Sequence, residues 1–483
     1  NLYHINDLFV RPLTKSSSTQ VYSYVELVAE ASQEAKWFVS HYWGTSFRNT
    51  LDMLLWHAEK RRCRLGRDRY WMCTFANRQW DLSSLKVPNM LETPFVKAIM
   101  GATCTGMVMC MDRDATPFER AWCTLEHYIT TEECKRRGKK MMLDIASVIE
   151  EGEQMVFKHR QGKGSWGMYR QRTAAILSWR RLTDATTQVF IRDDTFGLHF
   201  PTTVWMKAMR TDVARAKAFY EEDATAIKRF MLGDASANFR IVPESHEAFD
   251  KVNKSIRKMF APLALREYAQ LANNHEVQNI LELLGKDQVD VADSRGCTAL
   301  YLASDNTNDL SRAHATHIVY TVRTLLEAGA SPDRANWRGG TPVHVAAGTH
   351  DTDAILKELL QAGANIEAKN NRGETPLMAA AWAGRHANVL CLINRQADLN
   401  AKDDIKKTAL DHARDAHFDR VVYLLIEKGA EDHASSMAGE SEKREFEKLR
   451  AHLCLDYDSE IPQLSNVDVF KDEKSRYQYE NRG

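Results

Sequence analysis

Short apolar runs alternate with amphipathic segments over the first third of the chain. Residues 36–40 (Lys-Trp-Phe-Val-Ser) read as a buried strand that runs into the turn His41-Tyr42-Trp43-Gly44. Ser46 is a suitable N-cap. After it, Phe47, Leu51, Leu54, Leu55 and Ala58 recur at helical spacing and define one apolar face. Lys60-Arg61-Arg62 suits the C-terminus of that helix, where cations offset the dipole. Residues 69–75 predict a second strand, 94–100 a short helix opened by proline, 106–111 a third strand and 140–146 a fourth. Between the last two, Thr116-Pro117-Phe118-Glu119 lines up an N-cap, an N1 proline and a capping-box glutamate, so a helix is predicted from Thr116. Its core face would be Phe118, Trp122, Leu125 and Ile129, with Glu126 on the border. Strands alternating with helices predict a mostly parallel sheet covered on both faces. Binding sites of such sheets lie at the carboxyl ends of the strands.

The flanking regions are less regular. Residues 1–34 show no period and read as a peripheral arm, with 21–29 as a short helix or strand. Residues 150–261 carry a mainly helical signal, with a fifth strand at 187–191 and amphipathic helices at 212–232 and 246–260.

The C-terminal part repeats. Gly296-Cys297-Thr298-Ala299-Leu300, Gly340-Thr341-Pro342-Val343-His344, Gly373-Glu374-Thr375-Pro376-Leu377 and Lys407-Thr408-Ala409-Leu410 place their threonines 43, 34 and 33 residues apart. Copies close on Leu-Leu followed by a Gly-Ala pair, as at Gly329-Ala330, Gly363-Ala364 and Gly429-Ala430. Period and residues resemble ankyrin repeats. The first copy is lengthened by an insertion around 306–317, and 263–284 reads as a degenerate capping pair. Such an array implies protein partners, bound through hairpin tips and inner helices. The tip candidates are Trp337 and Arg338, Asn371 and Arg372, and Asp404 and Ile405.

Composition narrows the function. With 483 residues, about two to four domains are expected. Lys plus Arg and Asp plus Glu are 65 each, so no bulk charge directs the chain to nucleic acid or an anionic membrane. Nine scattered cysteines without a CxxC pair predict reduced thiols and a cytoplasmic or nuclear protein. No apolar run approaches the ~18 residues of a membrane span, so no membrane insertion is predicted. The chain opens at Asn1 without Met, which implies that residues precede it.

Three motifs in order carry a second resemblance. They are Phe38-Val39-Ser40-His41-Tyr42-Trp43-Gly44, then Tyr70 to Gln79, then Ala121-Trp122-Cys123-Thr124-Leu125-Glu126. Together they resemble the TIR superfamily, in its divergent protist and HET-like branches. The implied fold class is α/β plus all-α, with a flavodoxin-like (TIR-like) parallel sheet domain at 35–195. A helical connector would follow at 196–262, an ankyrin solenoid at 263–433 and a polar tail at 434–483. The resemblance implies cleavage of NAD at the nicotinamide–ribose bond, with NAD as substrate rather than resident cofactor. Glu126 would then be the catalytic carboxylate, opposing charge developed on the ribose. Ser40, His41, Trp43, Asn77 and Trp80 would line the substrate pocket, the tryptophans stacking on a ring. It also implies a homo-oligomer through this domain. His41-Tyr42-Trp43 departs from the polar, acidic loop of typical TIR enzymes.

Plainer readings stand beside these. Glu126 also fits a solvated or ion-paired helix glutamate, His41 a turn histidine, and Trp43 and Trp122 core aromatics. Asp112 and Asp114 fit a loop that caps the next helix. Cys123 and His127 sit four apart on one helix but lack a visible oxyanion site. Gly162-Lys163-Gly164-Ser165 fits a linker, and the arginines of 170–181 a solvated face. Two functions therefore remain. One is an NAD hydrolase coupled to an ankyrin array. The other is a non-enzymatic scaffold in which both parts bind proteins.

Overall fold

The computed structural model describes residues 1–14, 23–29, 34–64, 67–77, 90–112, 114–137, 141–149, 155–157, 168–170, 173–180, 188–192, 202–233, 242–243, 245–285, 288–293, 295–305, 312–350 and 352–431. The chain divides into two compact units, residues 1–346 with 357–365, and residues 347–356 with 366–483.

The first unit is built on a sheet. Its parallel strands are β1 (Trp37–His41), β2 (Tyr70–Trp71), β3 (Gly106–Met111) and β4 (Met142–Ile149), in the order β2-β1-β3-β4. Every residue of β1 and β3 is buried, which explains the unbroken apolar run of β3, while β1 carries the buried polar pair Ser40 and His41 at its carboxyl end. Beyond β4, where a mainly helical signal with one further strand at 187–191 was expected, the sheet continues. A small hairpin, β5 (Met155–Phe157) with β6 (Met168–Arg170), intervenes. Strand β7 (Thr173–Arg180) then adds antiparallel to β4, and β8 (Gln188–Arg192) adds antiparallel to β7 at the sheet's edge. The run Ile176-Leu177-Ser178-Trp179-Arg180 has no period that separates helix from strand, and pairing with β4 selects the strand.

Local predictions bend where tertiary contacts compete. Strand β2 is only two residues long, because Phe75 and Ala76 donate back to Met72 O and turn the chain into the helix Cys73–Ala76. Helix Phe47–Lys60 forms, but its buried stripe is Thr50, Met53, Leu54 and His57. Leu51 and Leu55 are 43% and 58% exposed, contrary to the apolar face expected. The stripe is turned because His57, polar in sequence, docks on β4 through Asp144. Thr116–Glu119 is a single 3-10 turn, and the α-helix spans Ala121–Arg137. Arg120 is extended and bridges to Lys217, with Ala121 N–H donating to Lys217 O (2.8 Å) and Lys217 N–H to Glu119 O (2.8 Å). That pairing interrupts the expected helix. Asp112 Oδ1, not Thr116, supplies the loop's side-chain acceptor, taking the Thr116 N–H at 2.7 Å.

The same pairing uses up residues before 218, so the helix expected at 212–232 is Glu221–Met231. Helix Glu247–Gln270 is continuous through Pro262 and runs past the connector boundary placed there. Its first half holds the sheet domain. Asn253 Oδ1 accepts from Val213 N–H (2.9 Å), Ser255 Oγ meets His127 Nε2 (3.3 Å) and Phe260 packs edge-on against Phe118 (5.5 Å). Its last turns meet the repeat region, where buried Arg266 donates from Nη1 to Val291 O (3.1 Å).

The arm at 1–14 is not peripheral. Leu2 is buried in the sheet's apolar cluster with Val39, Met53, Leu54, Met72, Val108, Cys110 and Ala146. Residues 24–28 are helical, started by a Ser23–Glu26 capping box.

The repeat helices are Ala299–Ser304, Arg312–Glu327, Pro342–Thr349, Ala354–Gln361, Pro376–Trp382, His386–Asn394, Ala409–Asp415 and Asp419–Glu427. Thr298, Thr375 and Thr408 each cap the first helix of their copy with the side-chain oxygen. Thr341 instead exchanges a hydroxyl contact with His344 Nδ1 (2.9 Å). No helix among the described residues is long and apolar enough to cross a membrane.

Candidate functional site

The carboxyl end of β1 and the first turns of helix Ala121–Arg137 form the candidate site. The four Met and Cys side chains of β3, Met107, Met109, Cys110 and Met111, are all buried beside it. Glu126 is only 7% exposed, far deeper than a border position. Burial pushes its carboxyl up to about 8, tempered by the Ser40 hydroxyl. That hydroxyl is near but makes no hydrogen bond of ordinary geometry: Ser40 Oγ and Glu126 Oε2 are both buried without a partner. At neutral pH Glu126 is therefore mainly a neutral acid, able to donate as well as accept.

The turn after β1 surrounds it. His41 is buried, its Nδ1 3.3 Å from Val39 O and its Nε2 without a partner. Burial drops its pKa to about 4, so it is a neutral ring. Cys123 Sγ lies 3.8 Å from His41 O. Trp43 Nε1 donates to Cys73 Sγ at 3.0 Å. Burial, with Glu126 as an electrostatic neighbour, raises the Cys73 thiol to about 12 and Cys123 well above its usual range. Neither is a thiolate, which removes the nucleophilic reading of Cys123. His127 faces Ser255 instead, and burial lowers it to about 4. Trp122 stacks at a tilt on Phe95 (5.1 Å) as a packing residue. Asn77 is buried and closes helix Cys73–Ala76 through its N–H to Cys73 O.

The structure thus gathers Ser40, His41, Trp43 and Glu126, and adds Cys73, Cys123 and the arm residue Tyr3, whose ring meets Trp43 edge-on at 5.5 Å. Tyr3 lacks any sequence signal, since it sits in a segment without period. Trp80 and the tail at 434–483 lie outside the described residues, as does the linker at 162–165. Among the described residues, no group of three or more His, Cys, Asp or Glu could hold a metal ion.

The hairpin tips of the repeats share one device. Asp293, Asn336, Asn370 and Asp403 each accept two backbone N–H groups on Oδ1, from residues two and four further on. They recur at the spacing of the threonines, a signal available in the sequence. In the first unit, Trp337 N–H donates to Arg295 O (2.8 Å) and the Arg338 guanidinium lies 5.7 Å over the Trp337 ring. In the second, Asp404 N–H donates to Arg372 O (3.0 Å). These bonds hold rigid tips whose side chains reach solvent. Trp337 is 59% exposed and Ile405 is 69% exposed.

A family model described as ankyrin repeats (3 copies) matches residues 310–403 and 358–435. This part of the chain consists of ankyrin repeats. The match opens inside the first copy, after its Thr298 start, and supports a protein-interaction role. No curated protein matches the chain.

Proposed function

We propose that the chain is a protein-binding adaptor whose ankyrin tips hold a protein partner. The carrying observation is Trp337, a large aromatic anchored through its backbone yet exposed to solvent, as interface hot spots are. Arg338 adds a cation beside it in the first unit, and in the second unit Ile405 offers an exposed apolar tip of its own with Asn371, Arg372 and Asp404 as polar tip residues. The test compares proteins captured by the parent chain with those captured by Trp337→Ala, Arg372→Ala and Ile405→Asp. Partners retained at full strength by all three would rule out the tip surface.

A second reading gives the sheet domain chemistry. The order β2-β1-β3-β4 supports a flavodoxin-like, TIR-like core. Buried Glu126 beside Ser40, with an unpartnered oxygen, supports a role in cleaving the nicotinamide–ribose bond of NAD. Glu126 would oppose positive charge on the ribose, and it does so only when ionised. Its raised pKa therefore sets a requirement: turnover increases as pH rises towards 8. Purified protein incubated with NAD should release nicotinamide, and Glu126→Ala should abolish release. Equal release by the variant, or none from the parent at any pH from 6 to 9, removes this reading.

A further inference from the structure

We propose that residues 1–14 form a displaceable lid that closes the Glu126 cluster, seated by Leu2 and Tyr3 on Trp43. The proposal rests on the reading of that cluster as a ligand site, and adds the means by which access to it is controlled.

The seat is continuous. Leu2 N–H donates to Trp43 O at 3.0 Å, and the Leu2 side chain is wholly buried among Val39, Met72 and Cys110. Tyr3 lies edge-on to the Trp43 ring, and its electrostatic neighbours are Tyr42, Arg120 and Cys73. Trp43 in turn donates to Cys73, which neighbours Glu126. The first residues of the arm thus reach Glu126 through two intervening side chains, Trp43 and Cys73.

The arm is built to lie along this surface. Its buried residues are Leu2, Asn6, Val10 and Thr14, every fourth position. In an α-helix of 3.6 residues per turn such a line drifts by about 40° at each step. The segment Asn6–Val10 is a π turn, with more residues per turn, and it brings the line back into register. A π turn between Leu2–Ile5 and Arg11–Thr14 is thus explained by the docking line.

That line is also poorly suited to permanent burial. Two of its four residues are polar: Thr14 Oγ1 donates to Val10 O (2.8 Å), whereas Asn6 Oδ1 is buried without a hydrogen-bond partner. Such an atom is satisfied once it meets water, so displacement of the arm recovers its hydration and offsets part of the lost apolar contact. A segment that only completed a core would carry an apolar residue there. On the outer side, Leu8, Phe9 and Leu13 are exposed, so they bury less apolar surface than Leu2 and Val10 do.

The experiment reads thiol access in the full chain, residue by residue, from the rate of alkylation followed by mass spectrometry. Cys73 and Cys123 report the cluster. Cys104, buried at the opposite end of β3, and Cys391, buried in the repeats, report general unfolding. Leu2→Asp and Tyr3→Ala should each speed Cys73 alkylation by about tenfold or more with Cys104 and Cys391 unchanged. Asn6→Leu, which removes the unsatisfied amide, should slow it below the parent rate. Unaltered Cys73 rates in Leu2→Asp and Tyr3→Ala would overturn the lid. So would Cys104 rising in parallel with Cys73, since the arm would then be an ordinary part of the core. Nicotinamide release measured on the same samples separates the two ideas: Cys73 opening without turnover upholds the lid and removes the NAD reading.

Discussion

His57 Nε2 lies 2.9 Å from Asp144 Oδ2, with both side chains fully buried and 87 residues apart in sequence. Arg61 reaches the same carboxylate from Nε (2.7 Å) and Nη2, and His57 Nδ1 meets Tyr70 OH at 2.7 Å. One helix is thereby pinned to β4 and to β2.

Asp144→Ala should destabilise the sheet domain by about 3–5 kcal/mol, since it leaves a buried guanidinium and imidazole without their anion. Burial alone would raise the Asp144 pKa, but the hydrogen bonds from His57 and Arg61 outweigh it and lower the value. A depressed carboxylate adds stability above its unfolded pKa of ~4, and that stability is lost as pH falls through the folded value. Acid denaturation followed by tryptophan fluorescence should show the variant losing this acid transition.

Glu126 carries the opposite sign. Its folded pKa of about 8 lies above the unfolded one, so the folded state holds the extra proton. Stability is full below ~4.3 and falls by about 1.4 kcal/mol per pH unit up to 8. Glu126→Gln should flatten this decline and raise the melting temperature at pH 8 relative to the parent. A parent and variant with parallel melting profiles from pH 5 to 8 would contradict the buried, neutral state.

Asp403 gathers three donors at one tip: Ile405 N–H, Lys407 N–H and His412 Nε2 (3.0 Å). Asp403→Ala should cost about 1–3 kcal/mol, because two part-buried N–H groups and the buried His412 ring lose their acceptor. Asp404→Ala, at the exposed neighbouring position, should stay within about 0.5 kcal/mol. Urea unfolding of the two variants by circular dichroism distinguishes them.

Phe260 joins helix Glu247–Gln270, through Phe118, to the 3-10 turn that leads into the Glu126 helix. Phe260→Ala should cost about 3–5 kcal/mol. Amide exchange in 121–131 should accelerate with it, because that helix loses its packing partner. Acceleration confined to 247–270 would show that the two helices open independently.

Local pattern carried much of this architecture. Ser40 and Trp43 were legible as residues at the end of the first strand, and Glu126 as a residue of the helix after the third. The repeat threonines and hairpin tips were legible because each copy restates the same short-range rules of capping and turn geometry. Arg69 to Phe75 misled, as a run of apolar residues has no period that separates a strand from a buried turn of helix.

Four features were decided only by the tertiary structure. The helix start moved from Thr116 to Ala121 because Arg120 pairs with Lys217, almost a hundred residues away. The face of helix Phe47–Lys60 turned because His57 found Asp144. The burial of Glu126, and with it a carboxyl that is neutral at pH 7, depends on β1, helix Cys73–Ala76 and helix Ala121–Arg137 closing around it. The arm's Leu2 entered the sheet's apolar cluster from a segment without periodicity. The common reason is range. The sequence determined what neighbours within a turn or a repeat impose on one another, while desolvation and long-range pairing exist only once distant segments meet.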